Sequence, residues 1–248
     1  MLGYRMFGHG PTRVMVLHGW FGDSRIFDPL LPVLDPDQFT MAFVDSPGYG
    51  ESRDLAGPYD LAAVVKEVLA LADQLEWDDF SVMGHSMGGK AALLLACTAA
   101  ERVRRILTMA PIWAGPAPFT PETFSLFQGA VNSPERRAQI VVNSTGGELP
   151  DIWVKKVVAE SLATSTTQAF GDYLQSWALD DFSSRAGQIT QEVLIIAGDH
   201  DLIPPQFFQD TWLATLPNAQ LHSLQNAGHW PMQECPLLVA RLLTDFLI

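Results

Sequence analysis

Short unbroken apolar runs alternate along the chain with longer stretches whose apolar residues recur every three or four positions. Val14-Met15-Val16-Leu17 is one such run and stops at His18-Gly19, as a strand buried on both faces does. Residues 24–34 then read as a helix, with Asp23 or Ser24 as its N-cap and Pro29 and Pro32 disturbing its interior. Residues 39–44 form the next strand, closed by the turn-rich Asp45-Ser46-Pro47-Gly48-Tyr49-Gly50. Across 59–75, Leu61, Val64, Val65, Val68, Leu69, Leu71, Ala72 and Leu75 repeat at helical spacing. Phe80 to Met83 gives another strand, a helix containing the apolar stretch Ala91 to Ala100 follows, and 103–109 returns to strand. This alternation predicts a parallel sheet covered by helices on both faces, with right-handed crossovers.

The rhythm breaks after Pro111. No strand pattern appears from 112 to 188; helices are expected near 121–131, 134–144, 150–163 and 165–178. Pro121, Pro134 and Pro150 each stand where a helix can begin, since proline suits the first helical position. Aromatic residues are dense in this stretch, which reads as a helical cap inserted into a core made of 1–111 and 189–248. The α/β pattern then resumes with a strand at 193–197, a helix over 205–216, a strand near 219–224 and a last helix over 236–247. Only 13 residues precede Val14, room for about one further strand (2–7), so the expected sheet has seven strands.

The segment joining residues 80–83 to the following helix is Gly84-His85-Ser86-Met87-Gly88, a G-x-S-x-G sequence at a strand-to-helix turn. Small residues two before and two after the serine let the two backbones approach at a tight turn. A hydroxyl held there, at a helix N-terminus and beside a base, is an activated nucleophile. The chain is identified as a member of the α/β-hydrolase superfamily on this segment and on the two that follow, and the resemblance covers nearly everything outside the cap.

Six histidines are available as base: His9, His18, His85, His200, His222 and His229. His229 lies in Ala227-Gly228-His229-Trp230-Pro231, between the last strand and the last helix, and the segment is similar to the family's G-H-x-x pattern. His18 is expected to shape its turn, and His85, adjacent to the serine, to point elsewhere. For the carboxylate that holds the base, residue type alone leaves Asp199 and Asp201 open. The family pattern G-x-x-D followed by proline, here Gly198-Asp199-His200-Asp201-Leu202-Ile203-Pro204, selects Asp201.

The implied triad is Ser86, Asp201 and His229, in the order nucleophile, acid, base. The resemblance also implies an oxyanion hole made by the backbone N–H of Met87 and that of Trp20, in His18-Gly19-Trp20. Trp113, just after the strand at 103–109, and Trp177, at the end of a cap helix, are candidates for the substrate pocket; most other cap aromatics are expected to pack against the sheet. The resemblance implies a serine hydrolase of small, mostly apolar esters or thioesters that needs no cofactor. Carbon–carbon bond hydrolases, cofactor-free lyases, perhydrolases and a ligand receptor on the same scaffold remain alternatives, because fold does not choose among them.

Composition narrows the partners. With 28 acidic and 15 basic residues the formal charge is −13, which disfavours nucleic acid and anionic membrane surfaces. The cap holds five basic residues, Arg136, Arg137, Lys155, Lys156 and Arg185, against eight acidic ones, which disfavours an acidic carrier protein such as that served by the family's biotin-pathway carboxylesterases. Two cysteines, Cys97 and Cys235, make no disulfide framework, and neither C-x-x-C nor H-E-x-x-H occurs, so no metal site is expected. No apolar stretch has the length of a signal-peptide core at the N-terminus or of a membrane span. A soluble cytoplasmic enzyme acting on a small molecule is the expectation.

Overall fold

A computed structural model describes residues 2–248. Seven strands form one sheet: β1 (Tyr4–Phe7), β2 (Thr12–Leu17), β3 (Phe39–Val44), β4 (Phe80–His85), β5 (Val103–Met109), β6 (Glu192–Gly198) and β7 (Ala219–Leu224). Their order is β1-β3-β2-β4-β5-β6-β7. β1 pairs antiparallel with β3, and every other neighbouring pair is parallel. Val14 to Leu17 and all of β4 are buried, because helices cover both faces, and this is why Val14 to Leu17 is an unbroken apolar run rather than an alternation.

Chain order reverses at β2: β3 lies on one side of it and β4 on the other. Such a switch point opens a crevice at the carboxyl ends of the strands. Leu17 is in register with Gly84 across β2 and β4. The residues that follow these strands, His18-Gly19-Trp20 and Ser86, therefore emerge side by side.

Helix α1 (Leu61–Gln74) starts where the Asp60 carboxylate accepts from the Ala63 N–H, and it buries Leu61, Val64, Val65, Val68, Leu71 and Ala72. Helix α2 (Met87–Thr98) follows β4 directly. Between β5 and β6 come only helices: α3 (Pro121–Ala130), α4 (Pro134–Asn143), α5 (Asp151–Thr164), α6 (Thr167–Leu179) and α7 (Ser183–Ala186). Thr120 and Ser133 cap α3 and α4, with Pro121 and Pro134 in their first turns, and Thr166 caps α6. Pro150 immediately precedes α5. After β6 comes α8 (Pro205–Phe208), and after β7 come α9 (Pro231–Glu234) and α10 (Pro236–Leu247).

Two helices expected from spacing take other forms. Ser24–Val33 is a 3-10 helix with Pro29 and Pro32 inside it, since each proline removes a donor needed for an α-helical ladder. The helix expected over 205–216 is α8 followed by a π-helical turn at Gln209–Leu213, a widening that amphipathic spacing does not announce.

The helical stretch between β5 and β6 is tied to α2 by Lys90. Its side chain is buried, and the ammonium donates to the carbonyls of Gly115 (2.8 Å), Trp177 (3.0 Å) and Asp180 (2.7 Å). One cation thus joins the segment entering α3 to the segment leaving α6. Desolvation pushes the Lys90 pKa down to about 8, so between that pH and the ordinary lysine value the unfolded chain binds more protons than the folded one. Stability therefore rises with pH across that window. Lys90→Met leaves three carbonyls without their donor, two of them buried, and is expected to lower stability by about 2 kcal/mol at neutral pH. The gap to wild type should widen as pH rises from about 8 towards the ordinary lysine value, as read by denaturant midpoints; a gap that narrows would contradict this reading.

Candidate active site

The turn after β4 forces Ser86 into an unusual backbone conformation, φ 52° and ψ −115°, which a non-glycine residue adopts only under restraint. The restraint is visible on both sides. The Ser86 N–H donates to the Met109 carbonyl at 2.9 Å, and the Ser86 carbonyl accepts from Gly89 at 2.9 Å and from Ile112 at 3.3 Å. A Cβ on Gly84 would collide with the Gly88 carbonyl, and one on Gly88 with the Leu17 carbonyl. The two glycines of the motif are thus needed for the close approach of β4, α2 and β2. Met87 opens α2, so its N–H has no acceptor within the helix and lies at the positive end of the helix dipole.

His229 lies between β7 and α9. Its Nδ1 is 2.8 Å from Asp201 Oδ2, and the Asp201 side chain is 1% exposed. A carboxylate only accepts, so Nδ1 carries the proton and Nε2 is left with its lone pair. Asp199 stands apart: its side chain is 42% exposed and lies 3.8 Å from the ring of His200 rather than against His229. The peptide N–H groups around His229 are all engaged. Glu234 accepts from the Gly228 and Trp230 N–H groups (2.7 and 2.9 Å), the Ser144 carbonyl accepts from the His229 N–H (2.9 Å), and the His229 carbonyl lies 2.7 Å from His85 Nε2. Burial raises the Glu234 pKa, while its two backbone hydrogen bonds oppose the rise.

The remaining histidines are accounted for differently. His18 donates from Nδ1 to the Gly19 carbonyl (2.7 Å) and accepts at Nε2 from the Ser46 N–H (3.0 Å), so it shapes the turn as its position suggests. His9 pairs with Asp37 at the surface, and His222 lies within β7. His85 does not point away: its ring is 5.0 Å from that of His229 and borders the same cavity.

That cavity, about 70 Å³ of free space, brings together Ser86, His229 and Asp201. Its walls are otherwise mostly apolar: Trp20, Phe119, Phe127, Trp177 and Trp230 are among them. Trp20 is fixed there by its indole N–H, which donates to the Phe170 carbonyl (2.7 Å), and by stacking on Phe170. Its carbonyl accepts from the Tyr49 hydroxyl (3.0 Å). The loop Asp45–Gly50 therefore serves as scaffold: Asp45 accepts from the Ser24 and Glu51 N–H groups, and Tyr49 braces the Trp20 peptide.

Trp177 lies in the cavity wall, as its place at the end of α6 suggests. Trp113 does not. Its ring packs on Trp212, 5.6 Å between centroids, and Ile112 takes the position at the cavity. One residue's difference after a strand end turns the side chain to the other side. Spacing also gives no sign of Ser144, Leu202, Ile203 or Trp230 in the wall, nor of the Glu234 clamp; these belong to loops and helix ends with no periodic pattern to read. Among the described residues no cluster of side chains has the makings of a metal site, and no helix is long and apolar enough to cross a membrane.

A serine on a strained strand-to-helix turn, with a carboxylate-held histidine beside it at the carboxyl ends of a parallel sheet, defines a hydrolase of the α/β class. The profile of the alpha/beta hydrolase fold matches residues 12–234, and the chain belongs to that family. It is 31% identical to the pimeloyl-[acyl-carrier protein] methyl ester esterase of Nitrosomonas europaea, over 92% of this chain and 92% of the relative. It is 27% identical to the 2-hydroxy-6-oxononadienedioate/2-hydroxy-6-oxononatrienedioate hydrolase of Cupriavidus pinatubonensis, over 97% of this chain and 88% of that one. The esterase structure from Exiguobacterium antarcticum superposes with a TM-score of 0.89 at 18% identity, covering 99% of this chain and 95% of its own.

Proposed function

We propose that the protein is a serine esterase for small, uncharged, mostly apolar carboxylic esters or thioesters, with residues 112–188 acting as a cap over the site. The observation that carries this reading is the cavity wall: Ser86 and His229 share it with aromatic and aliphatic side chains and, among the described residues, with no lysine or arginine. Two buried cations, Lys90 beneath the cap and Arg137 within it, are already committed. Lys90 holds three carbonyls. Arg137 donates to the Ala130 and Val131 carbonyls and to Ser161, with its guanidinium 3.6 Å over the Phe170 ring.

In this reading Ser86 Oγ attacks the ester carbonyl as its proton passes to His229 Nε2, while Asp201 stabilises the imidazolium. The Met87 and Trp20 N–H groups receive the oxyanion. His229 then protonates the leaving alkoxide or thiolate, and a water deprotonated by the same nitrogen hydrolyses the acyl-enzyme. No cofactor takes part. Cytoplasmic residence is consistent with the two cysteines, Cys97 and Cys235, both being free thiols.

Cleavage of a carbon–carbon bond is the second reading, favoured by similarity to the dienedioate hydrolases. A dienedioate carries two carboxylates, and an unpaired carboxylate buried in an apolar cavity costs several kcal/mol. A carrier-bound acyl substrate, as in the name of the Nitrosomonas relative, fits no better, because Arg137 is buried and leaves the cap still poorer in surface cations.

A series of p-nitrophenyl esters of rising acyl length, run beside carboxylate-ended esters and a ring-cleavage dienedioate, tests the choice. Neutral short-chain esters are expected to exceed their carboxylate-ended counterparts by about 100-fold or more in kcat/KM. Preference for the dienedioate would overturn the ester reading.

A further inference from the structure

His85 is a buried imidazole that the triad does not use. Its Nε2 lies 2.7 Å from the His229 carbonyl oxygen; a carbonyl only accepts, so Nε2 carries the proton. Nδ1 is then a bare acceptor, buried and without a hydrogen-bond partner. That edge of the ring abuts the loop after β2: a Cβ on Gly19 would come within 2.6 Å of Nδ1. The ring also lies 6.2 Å from that of Trp230. A single side chain, one residue before the proposed nucleophile, thus touches the loop of the base and the loop of the proposed oxyanion donor.

We propose that His85 is a positioning residue, an imidazole that fixes the base loop to the oxyanion loop by donating from Nε2 to the His229 carbonyl and packing against Gly19. This role rests on the esterase reading above. The titratable groups facing His85 are His229 on the loop after β7 and His18 on the loop after β2. Burial first, and then those two rings, hold its pKa well below the ordinary histidine value, while the hydrogen bond to the His229 carbonyl pulls it up. Neutrality matters for the chemistry: a cation here, 5.0 Å from the His229 ring, would oppose the imidazolium that forms at each proton transfer.

The packing also explains why the side chain is tolerated beside a nucleophile. It occupies space that Gly19 leaves open, and it satisfies a carbonyl of the base loop that has no strand or helix partner.

The test compares wild type with His85→Ala and His85→Gln, whose amide nitrogen reaches about as far as Nε2. Active sites are counted by fluorophosphonate adduct, and kcat is expressed per labelled site, so that misfolded protein does not count. His85→Ala is expected to lose about 30- to 100-fold in kcat per site with KM within about threefold, because the base loop shifts relative to the serine. Its acid limb in kcat/KM against pH should move, and His85→Gln should recover most of the loss. Nitrogen-15 NMR of the wild-type imidazoles should show His85 in the Nε2–H neutral form at pH values where an ordinary histidine is protonated. An unchanged kcat per site and pH profile in His85→Ala would overturn the proposal, as would a His85 that titrates near neutrality. If His85→Ala does not fold, His85→Gln retaining activity and the wild-type NMR decide in the same directions. Wild type that takes no adduct at Ser86 would instead overturn the esterase reading, and the role of His85 with it.

Discussion

Ser86→Ala is expected to abolish ester turnover, by about 10⁴-fold or more, and to remove the fluorophosphonate adduct seen by intact mass on wild type. The size follows from what remains. In the proposed mechanism the Met87 and Trp20 N–H groups and the apolar wall would still bind substrate, but no atom would be left to form the acyl-enzyme, and nucleophile removal in triad enzymes exposes only that residual catalysis. The fold should survive. The Ser86 backbone bonds to Met109, Gly89 and Ile112 use main-chain atoms, and alanine meets the same backbone strain at φ 52° as serine does. Thermal melts of the two proteins should therefore agree within about 5 °C, the shift produced by roughly 1–2 kcal/mol in a domain of this size. Turnover above about 1% of wild type, or an adduct that persists at another residue, would remove Ser86 from the nucleophile's role.

The fold was largely legible because its strands are buried on both faces. Val14 to Leu17 and Met41 to Val44 are continuous apolar runs, as strands of a parallel sheet covered on both faces require. Where the pattern misleads, local chemistry overrides periodicity. Ser24–Val33 has helical spacing and a capping Asp23, yet Pro29 and Pro32 convert it to 3-10 geometry. The π-helical turn at Gln209–Leu213 has no sequence mark at all.

The candidate site was legible to the extent that it sits at strand ends. Ser86, Asp201 and His229 each follow a strand by a few residues, and their loops converge because the strands are parallel. Side-chain direction beyond those ends was not legible. Trp113 and Ile112 are both apolar and adjacent, and only the packing of Trp113 on Trp212 decides which of them borders the cavity. His85 departs from expectation for the opposite reason: proximity in sequence to Ser86 suggests a ring turned away, whereas the tight turn folds it between two loops. The Glu234 clamp lies beyond His229 in the next helix, and nothing in residue type separates it from a surface carboxylate. Its meaning appears only when the Gly228 and Trp230 N–H groups are seen to converge on it.

Asp201→Asn should cost about 10³- to 10⁴-fold in kcat, and Asp199→Asn less than about threefold. In a serine protease triad the same change costs about 10⁴-fold, and the geometry here gives it the same two grounds. Asp201 Oδ2 fixes the His229 Nδ1–H tautomer at 2.8 Å; an amide offers Nδ1 either an oxygen or an N–H₂ group, and the second holds the ring in the tautomer that cannot take the serine proton. The amide also lacks the charge that stabilises the imidazolium, in a place so buried that water does not replace it, the Asp201 side chain being 1% exposed. Asp199 has neither role. It is half-exposed and 3.8 Å from His200, a pair of the kind worth little in water. Both variants should bind substrate as wild type does, so the loss falls on kcat rather than KM, measured on a short-chain p-nitrophenyl ester. A larger loss in Asp199→Asn than in Asp201→Asn would reassign the acid, and equal small losses would mean that His229 is oriented by its backbone clamp alone.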